Sequence, residues 1–370
     1  MPLRDALGNV DPYRPQPPMR VLAERAGLER MIKLASNECA FGPLPASVAA
    51  YEAAAAELHR YPDGGAAPLR AALGERHGLP PEQVVPSNGA DELIRLCGAA
   101  ALDAGDAAVF PWPSFASYVS AAGVHGADAV RVPLRDRAFD LGAVLKACAQ
   151  PAPGGGRVRL VFLANPNNPT GTLLDRAELR EFLDSLPAGI LCVLDEAYAE
   201  YADTEPEGPV LLREGREPLC VLRTFSKVYG LAALRIGYAL ASVSVAGALD
   251  AVRPIFNANQ PAQEAALAAL GEGDEVSRRV AHARGAREWL RVQLADAGLD
   301  PISSQTNFVY ADVPGGDADG LAERLLAEGF IVRALRGFGA PGAIRVTCGT
   351  DEENAAFVEA LARVLASPAA

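Results

Sequence analysis

Histidine is scarce in this chain, with four copies among 370 residues. His59, His77, His125 and His282 stand singly in Ala- or Gly-rich surroundings, without a pair at metal-ligand spacing, which argues against a metal site. Cysteine is nearly as sparse. The six, at 39, 97, 148, 192, 220 and 348, form no Cys-x-x-Cys motif, so free buried thiols are expected rather than a disulfide framework. No apolar run is long enough to span a bilayer. Residues 236–249 are uncharged but too few, and 107–123 are broken by Pro111 and Pro113. The start, Met1-Pro2-Leu3-Arg4-Asp5, lacks the apolar core of a signal peptide and is too acidic for a transit peptide, so a soluble cytoplasmic protein is expected. Positive charge is in deficit. A formal net charge of -12 disfavours a nucleic-acid backbone or an anionic membrane as partner. Gly154-Gly155-Gly156 lacks the following Lys-Ser/Thr of a phosphate loop and reads as a surface turn.

What is present is a chain able to bury a sizeable core, 50% hydrophobic and 22% charged. From about residue 68 to 250, strand-like runs alternate with helical ones; residues 178–185, for example, precede a strand that begins at Ile190. That alternation predicts crossover units and a largely parallel sheet. The C-terminal part opens with a long helical segment over 261–297. Short strands follow at 307–310 and 344–347, with a helix over 321–328 between them.

The chemistry gathers where apolar runs stop. Residues 219–222 read as a buried strand and lead into Thr224-Phe225-Ser226-Lys227, with Arg235 eight residues beyond the lysine. Two hydroxyls and an arginine around one amine form a set able to bind a dianion, which suggests a Schiff-base lysine beside a phosphate anchor. A second run, 161–164, ends in Asn165-Pro166-Asn167-Asn168-Pro169-Thr170-Gly171, and a third, 190–194, in Asp195-Glu196-Ala197-Tyr198. In an open α/β sheet, ligands bind at the carboxyl ends of the strands. Asn168, Asp195, Tyr198 and Lys227 are therefore expected to converge.

These motifs, together with Asp11-Pro12-Tyr13-Arg14-Pro15, Lys33-Leu34-Ala35-Ser36-Asn37-Glu38, Phe41-Gly42-Pro43, Arg60-Tyr61-Pro62-Asp63, Ser87-Asn88-Gly89-Ala90-Asp91-Glu92 and Ile344-Arg345-Val346-Thr347, resemble the fold-type I pyridoxal-phosphate aminotransferases. Within that superfamily they resemble most the histidinol-phosphate aminotransferase group, over nearly the whole chain. The resemblance implies an α/β fold with a mostly parallel sheet sandwiched by helices in a large domain, 51–257. It also implies a small α+β domain, 258–370, joined by the N-terminal arm, 1–50.

It further implies a role for each matched residue. Lys227 would hold pyridoxal 5'-phosphate and shuttle the proton, and Asp195 would keep the ring nitrogen protonated. Asn168 and Tyr198 would bind the ring oxygen, and Phe115 would stack on the ring. Gly89, Ala90 and Asp91 would cup the phosphate at a helix start, with Thr224, Ser226 and Arg235 completing the cup. Tyr61 would reach the phosphate of a neighbouring subunit, making a homodimer with shared sites. Arg345 would bind the acidic end of the substrate, with Tyr13 and Arg333 on a phosphate arm.

The implied reaction moves an amino group from histidinol phosphate to 2-oxoglutarate, with imidazole acetol phosphate as the keto partner. Two departures bear on the donor: Cys39-Ala40 follow Glu38 where Asn-Pro is common in the family, and Ala334 follows Arg333 where Pro is common. They leave open transamination of aromatic or specialised amino acids, and decarboxylation of a phosphorylated amino acid is a further alternative. A cofactor-binding regulator would need a fused DNA-binding segment, for which the residues before Lys33 are too few.

Overall fold

The computed structural model describes residues 4–10, 17–204 and 207–366. A short strand near the N-terminus, β1 (Ile32–Lys33), precedes seven strands of one sheet: β2 (Val84–Ser87), β3 (Ala107–Trp112), β4 (Asp128–Pro133), β5 (Val158–Ala164), β6 (Leu191–Asp195), β7 (Leu219–Thr224) and β8 (Gly237–Ala241). The spatial order is β2-β8-β7-β6-β5-β3-β4. β8 runs antiparallel to both neighbours, and every other pairing is parallel.

The inner strands are continuous apolar runs because both faces of the sheet are covered. Alternation along each strand divides them between two cores. Val161, Leu163, Cys192, Leu194 and Val221 pack on one face, and Leu160, Phe162, Val193, Cys220 and Leu222 on the other. Helices such as Ala90–Ala101 and Arg176–Ser185 cross between successive strands. Asp175 caps the latter, accepting from the amides of Ala177 and Glu178. The mostly parallel sheet sandwiched by helices is therefore observed.

The C-terminal part contributes β9 (Asp300–Pro301), β10 (Phe308–Asp312), β11 (Phe330–Ile331), β12 (Arg333–Leu335) and β13 (Ala340–Thr347). β12, β13, β10 and β9 form an antiparallel sheet in that order, while β11 pairs in parallel with β1. A third core lies here, where Leu34 packs with Leu290, Val309, Ile344 and Phe357. The amide of Thr347 also donates to Leu34 O at 2.9 Å. The N-terminal segment is thus bound to the C-terminal sheet.

The expected single helix over 261–297 is two, Gln260–Ala269 and Gly273–Asp296. Gly271 and Gly273 lie at the break, where glycine is costly inside a helix and cheap in a turn. The first helix packs on Pro45–Ala54, and its Ala262, Ala265, Ala266 and Ala269 bury in the same core as Leu69 and Val221. The second carries Leu290 and Leu294 to the third core. Of the six free cysteines, five are buried as expected. Cys39 is half-buried, a correction that follows from its place in a loop beside the Val228 carbonyl.

Candidate active site

The parallel strands end on one edge of the sheet, and the polar segments follow there. Asp195 is the last residue of β6, Thr224 the last of β7 and Ser87 the last of β2. Gly237, at the start of β8, pairs with both Ser87 and Thr224, which brings the turn after β2 against the lysine segment. A Cβ at Gly237 would stand 2.9 Å from the Ala90 amide nitrogen and 2.8 Å from Arg223 O, so the close approach requires glycine.

Gly89 adopts φ 83°, ψ 161° as the N-cap of Ala90–Ala101, and a Cβ there would meet Arg235 Nη2 at 2.6 Å. Arg235 Nη1 lies 3.5 Å from Ser226 Oγ, and the Ser226 amide donates to Thr224 Oγ1 at 3.1 Å. Helix amides, two hydroxyls and a guanidinium thus share one cradle, open only because residue 89 lacks a side chain. Such an arrangement suits a phosphate. The Asp91 carboxylate turns elsewhere, accepting from Ser117 Oγ and from Arg95 Nε at 3.4 Å, so it brings to the cradle its backbone and not its charge.

Asp195 is buried with its carboxylate held at both oxygens. Tyr118 Oη donates to Oδ2 at 2.8 Å and the Ala197 amide to Oδ1 at 3.2 Å. Burial raises its pKa, while the Tyr118 and Ala197 bonds and the Lys227 charge pull it back. A cationic ring nitrogen beside such a carboxylate would offset its burial. Its neighbour Glu196 faces the other way, into a buried ion pair with Arg223 at 2.7 Å. Phe115 is half-buried and sits edge-on to Tyr118, centroids 5.9 Å apart. Lys227 Nζ donates to Ser36 O at 3.3 Å and lies 5.4 Å from the centre of the Tyr198 ring.

Arg345, on β13, reaches into the same place. Its Nη1 donates to Asn168 Oδ1 at 2.5 Å and its Nη2 to Ala35 O at 2.7 Å, while Nε is buried without a partner. Burial lowers its pKa to about 10, and Arg333 adds to the fall against the opposing influence of Tyr198. Arg333 stands directly opposite in the β12–β13 register, and its own Nε is likewise buried without a partner. Two adjacent guanidiniums with no carboxylate bonded to either, among the described residues, suit an anionic ligand.

Tyr13 lies outside the described residues. Tyr61 is 83% exposed and stacks on Phe256 at 4.8 Å, so within one chain it joins none of the contacts above. Three residues of the site had no role in the sequence reading: Tyr118, Gly237 and Asn37, whose Nδ2 donates to Tyr198 Oη at 2.7 Å. Tyr118 was findable as the residue one turn beyond Phe115, and Gly237 as a glycine opening an apolar strand. Among the described residues, no group of three or more His, Cys, Asp or Glu side chains is placed to hold a metal, and no helix is long and apolar enough to cross a membrane.

A lysine, a buried carboxylate and a phosphate cradle at the carboxyl edge of this sheet define a site for a planar, phosphorylated cofactor. The chain belongs to the family of class I and II aminotransferases, whose sequence profile matches residues 29–361. It is 43% identical to a histidinol-phosphate aminotransferase of an Anaeromyxobacter strain, over 97% of this chain and 98% of that protein. It is 41% identical to the corresponding protein of Maricaulis maris, over 97% of each. Among solved structures, it superposes with a TM-score of 0.88 on histidinol-phosphate aminotransferase from Sinorhizobium meliloti in complex with pyridoxal-5'-phosphate. That match has 30% identity and covers 100% of this chain and 98% of the other.

Proposed function

We propose that the chain is a pyridoxal 5'-phosphate-dependent transaminase that carries the amino group of histidinol phosphate to a 2-oxo acid, 2-oxoglutarate. The single observation that carries the substrate reading is the Arg333–Arg345 pair, two guanidiniums in register, with Arg345 bonded to Asn168 and neither meeting an acidic partner among the described residues. A substrate with an anionic arm would satisfy both. The relatives named above act in support, since their names specify such a substrate.

Bound, pyridoxal phosphate supplies an electron sink for the carbanion formed when a substrate Cα loses its proton. The chain's residues do the rest. Gly89, Ala90, Thr224, Ser226 and Arg235 would hold the phosphate, with Asp91 present through its backbone, and Phe115 would cover the ring. Asp195 would keep a proton on the ring nitrogen, and Tyr118 keeps Asp195 in place through the 2.8 Å bond. Tyr198 and Asn168 would bind the ring oxygen. Lys227 Nζ would anchor the cofactor and, once freed by an incoming amine, would carry the proton taken from the substrate Cα. Arg345 orients the substrate, and Arg333, with Tyr13, takes the phosphate arm.

We also propose that the working unit is a homodimer. The exposed Tyr61, stacked on the exposed Phe256 at 4.8 Å with Ile255 beside it in the chain, supports it, because a contiguous exposed apolar patch marks an interaction surface. Tyr61 would then serve the partner's phosphate. For the domain division, we keep the arm 1–50, the large domain 51–257 and the small domain 258–370. The packing of Gln260–Ala269 favours moving that last boundary toward Gly273.

The test is a donor screen on the cofactor-loaded protein. Histidinol phosphate should convert the visible band to the pyridoxamine form with release of imidazole acetol phosphate, and Lys227→Ala should lose both the band and turnover while keeping its fold. Conversion by aromatic amino acids alone would move the assignment to the aromatic or specialised class, and carbon dioxide release would move it to decarboxylation.

A further inference from the structure

Asn37 has no part in the chemistry above, yet its side chain joins the substrate-anchoring strand to Tyr198. The Asn37 backbone N–H donates to Thr347 Oγ1 at 3.0 Å, and that hydroxyl donates in return to the side-chain Oδ1 of Asn37 at 3.1 Å. With its oxygen fixed on Thr347, the side-chain nitrogen faces Tyr198 and donates to Oη at 2.7 Å. Asn37 is 1% exposed and adopts φ 55°, a left-handed conformation that asparagine tolerates. The residues before it are tied to the same centre, since Ala35 O accepts from Arg345 and Ser36 O from Lys227.

A phenol has one proton to give and lone pairs to receive. Once Tyr198 Oη accepts from the Asn37 amide, the amide offers no acceptor for the phenolic proton, and that proton is left for another group. On the function proposed above, that group is the ring oxygen of the cofactor. We propose that Asn37 is a positioning residue for Tyr198, fixing the phenol as a donor to the ring oxygen and thereby lowering the hold of the Lys227 nitrogen on its own proton. The physical reason is charge. A donor to the ring oxygen spreads its negative charge, and less negative charge beside a protonated nitrogen makes that proton easier to lose.

A merely structural tie between Asn37 and β13 would change stability and leave this proton alone. The readout is therefore the pH midpoint of the visible absorbance of the cofactor-loaded protein, recorded beside its melting temperature and cofactor affinity. Asn37→Gly keeps the left-handed backbone and removes the donor. It should raise the midpoint by about one pH unit, the loss expected for one hydrogen bond to a charged system. Asn37→Asp keeps the shape and offers the phenol a competing acceptor, so its rise should be larger. In a Tyr198→Phe background, Asn37→Gly should add nothing, because it acts through the missing hydroxyl.

An unmoved midpoint in Asn37→Gly, or an equal rise with and without the Tyr198 hydroxyl, would overturn the inference. Should Asn37→Gly not fold, Thr347→Val releases Oδ1 and should move the midpoint upward; lost stability with an unmoved midpoint would count against the inference equally. An unsubstituted protein that develops no visible band with pyridoxal phosphate would overturn the proposed function and this inference with it, an outcome distinct from a band that titrates identically in every variant.

Discussion

Asp195→Asn should act with opposite sign in the empty and the cofactor-loaded protein. The substitution is nearly isosteric, and the site can receive it. The amide oxygen can keep the bond from the Ala197 amide, while Tyr118, whose hydroxyl rotates, can accept from the new nitrogen. In the empty protein the native carboxylate is buried and its pKa raised, chiefly by that burial. A group with a raised folded pKa contributes stability that is present below its unfolded value, near 3.9, and is lost as pH climbs through the folded one. The amide does not titrate. The variant's melting temperature relative to the native apoprotein should therefore climb from about pH 4 upward and level off once the native carboxylate is ionised.

Each unit of pKa elevation is about 1.4 kcal/mol, and a 370-residue chain has an unfolding entropy of roughly 0.8 kcal/mol per degree, so the expected slope is about 2 °C per unit. With cofactor bound, the carboxylate instead faces a ring cation. At ~4 Å and an effective dielectric of about 20 that attraction is about 4 kcal/mol, and losing it in the transition state would lower kcat by about three orders of magnitude. Differential scanning fluorimetry of the apoproteins from pH 4 to 8, beside single-turnover kinetics of the loaded ones, checks both halves. A pH-independent stability difference together with near-native turnover would refute the reasoning and leave Asp195 as a cap for the turn that follows it.

Gly237→Ala should weaken pyridoxal phosphate binding roughly ten- to a hundredfold, since its methyl group forces the Ala90 amide away from the cradle at a cost of about 1–3 kcal/mol; titrating apoprotein with cofactor measures it, and native affinity would show that the β2–β8 approach has slack. Arg333→Ala should lower kcat/KM for histidinol phosphate about ten- to a hundredfold, the loss of a charge-assisted bond, with little change for an amino acid lacking the phosphate. Equal losses on both substrates would assign Arg333 to the fold or to the common carboxylate site. Mixing inactive Tyr61→Ala and Lys227→Ala protomers should recover activity, because one hybrid site would hold both native residues. Hybrids that stay inactive, with Tyr61→Ala itself inactive, would end the shared-site proposal.

The parallel sheet was legible because each inner strand is an unbroken apolar run, as burial on both faces demands, and each such run stops at a polar cluster. Lys227, Asp195 and Asn168 could be placed on one edge by that logic alone. Other features were not legible, and the reasons are particular. Asp195 and Glu196 are adjacent carboxylates, and it took the sheet to show that one faces the lysine while the other is held by Arg223. The antiparallel insertion of β8 between β2 and β7 is what presses Gly237 against Ala90, and strand composition carries no direction. Helical periodicity ran through Gly271 and Gly273 because the alanines on both sides fit either one helix or two.

By itself, then, the sequence determined the alternation of strands and helices through the large sheet, the edge at which chemistry would gather and the lysine expected at its centre, since each is written in a run of neighbouring residues. Only the tertiary structure decided that Thr347, Asn37 and Tyr198 form one hydrogen-bonded line, that Arg333 and Arg345 stand side by side with no carboxylate bonded to them among the described residues, and that Tyr118 holds Asp195. Asn37 and Tyr198 are 161 residues apart, and the bond between them depends on the packing of the N-terminal segment, which pairs with β11 through β1 and bonds to Thr347 of β13, contacts that no local propensity encodes.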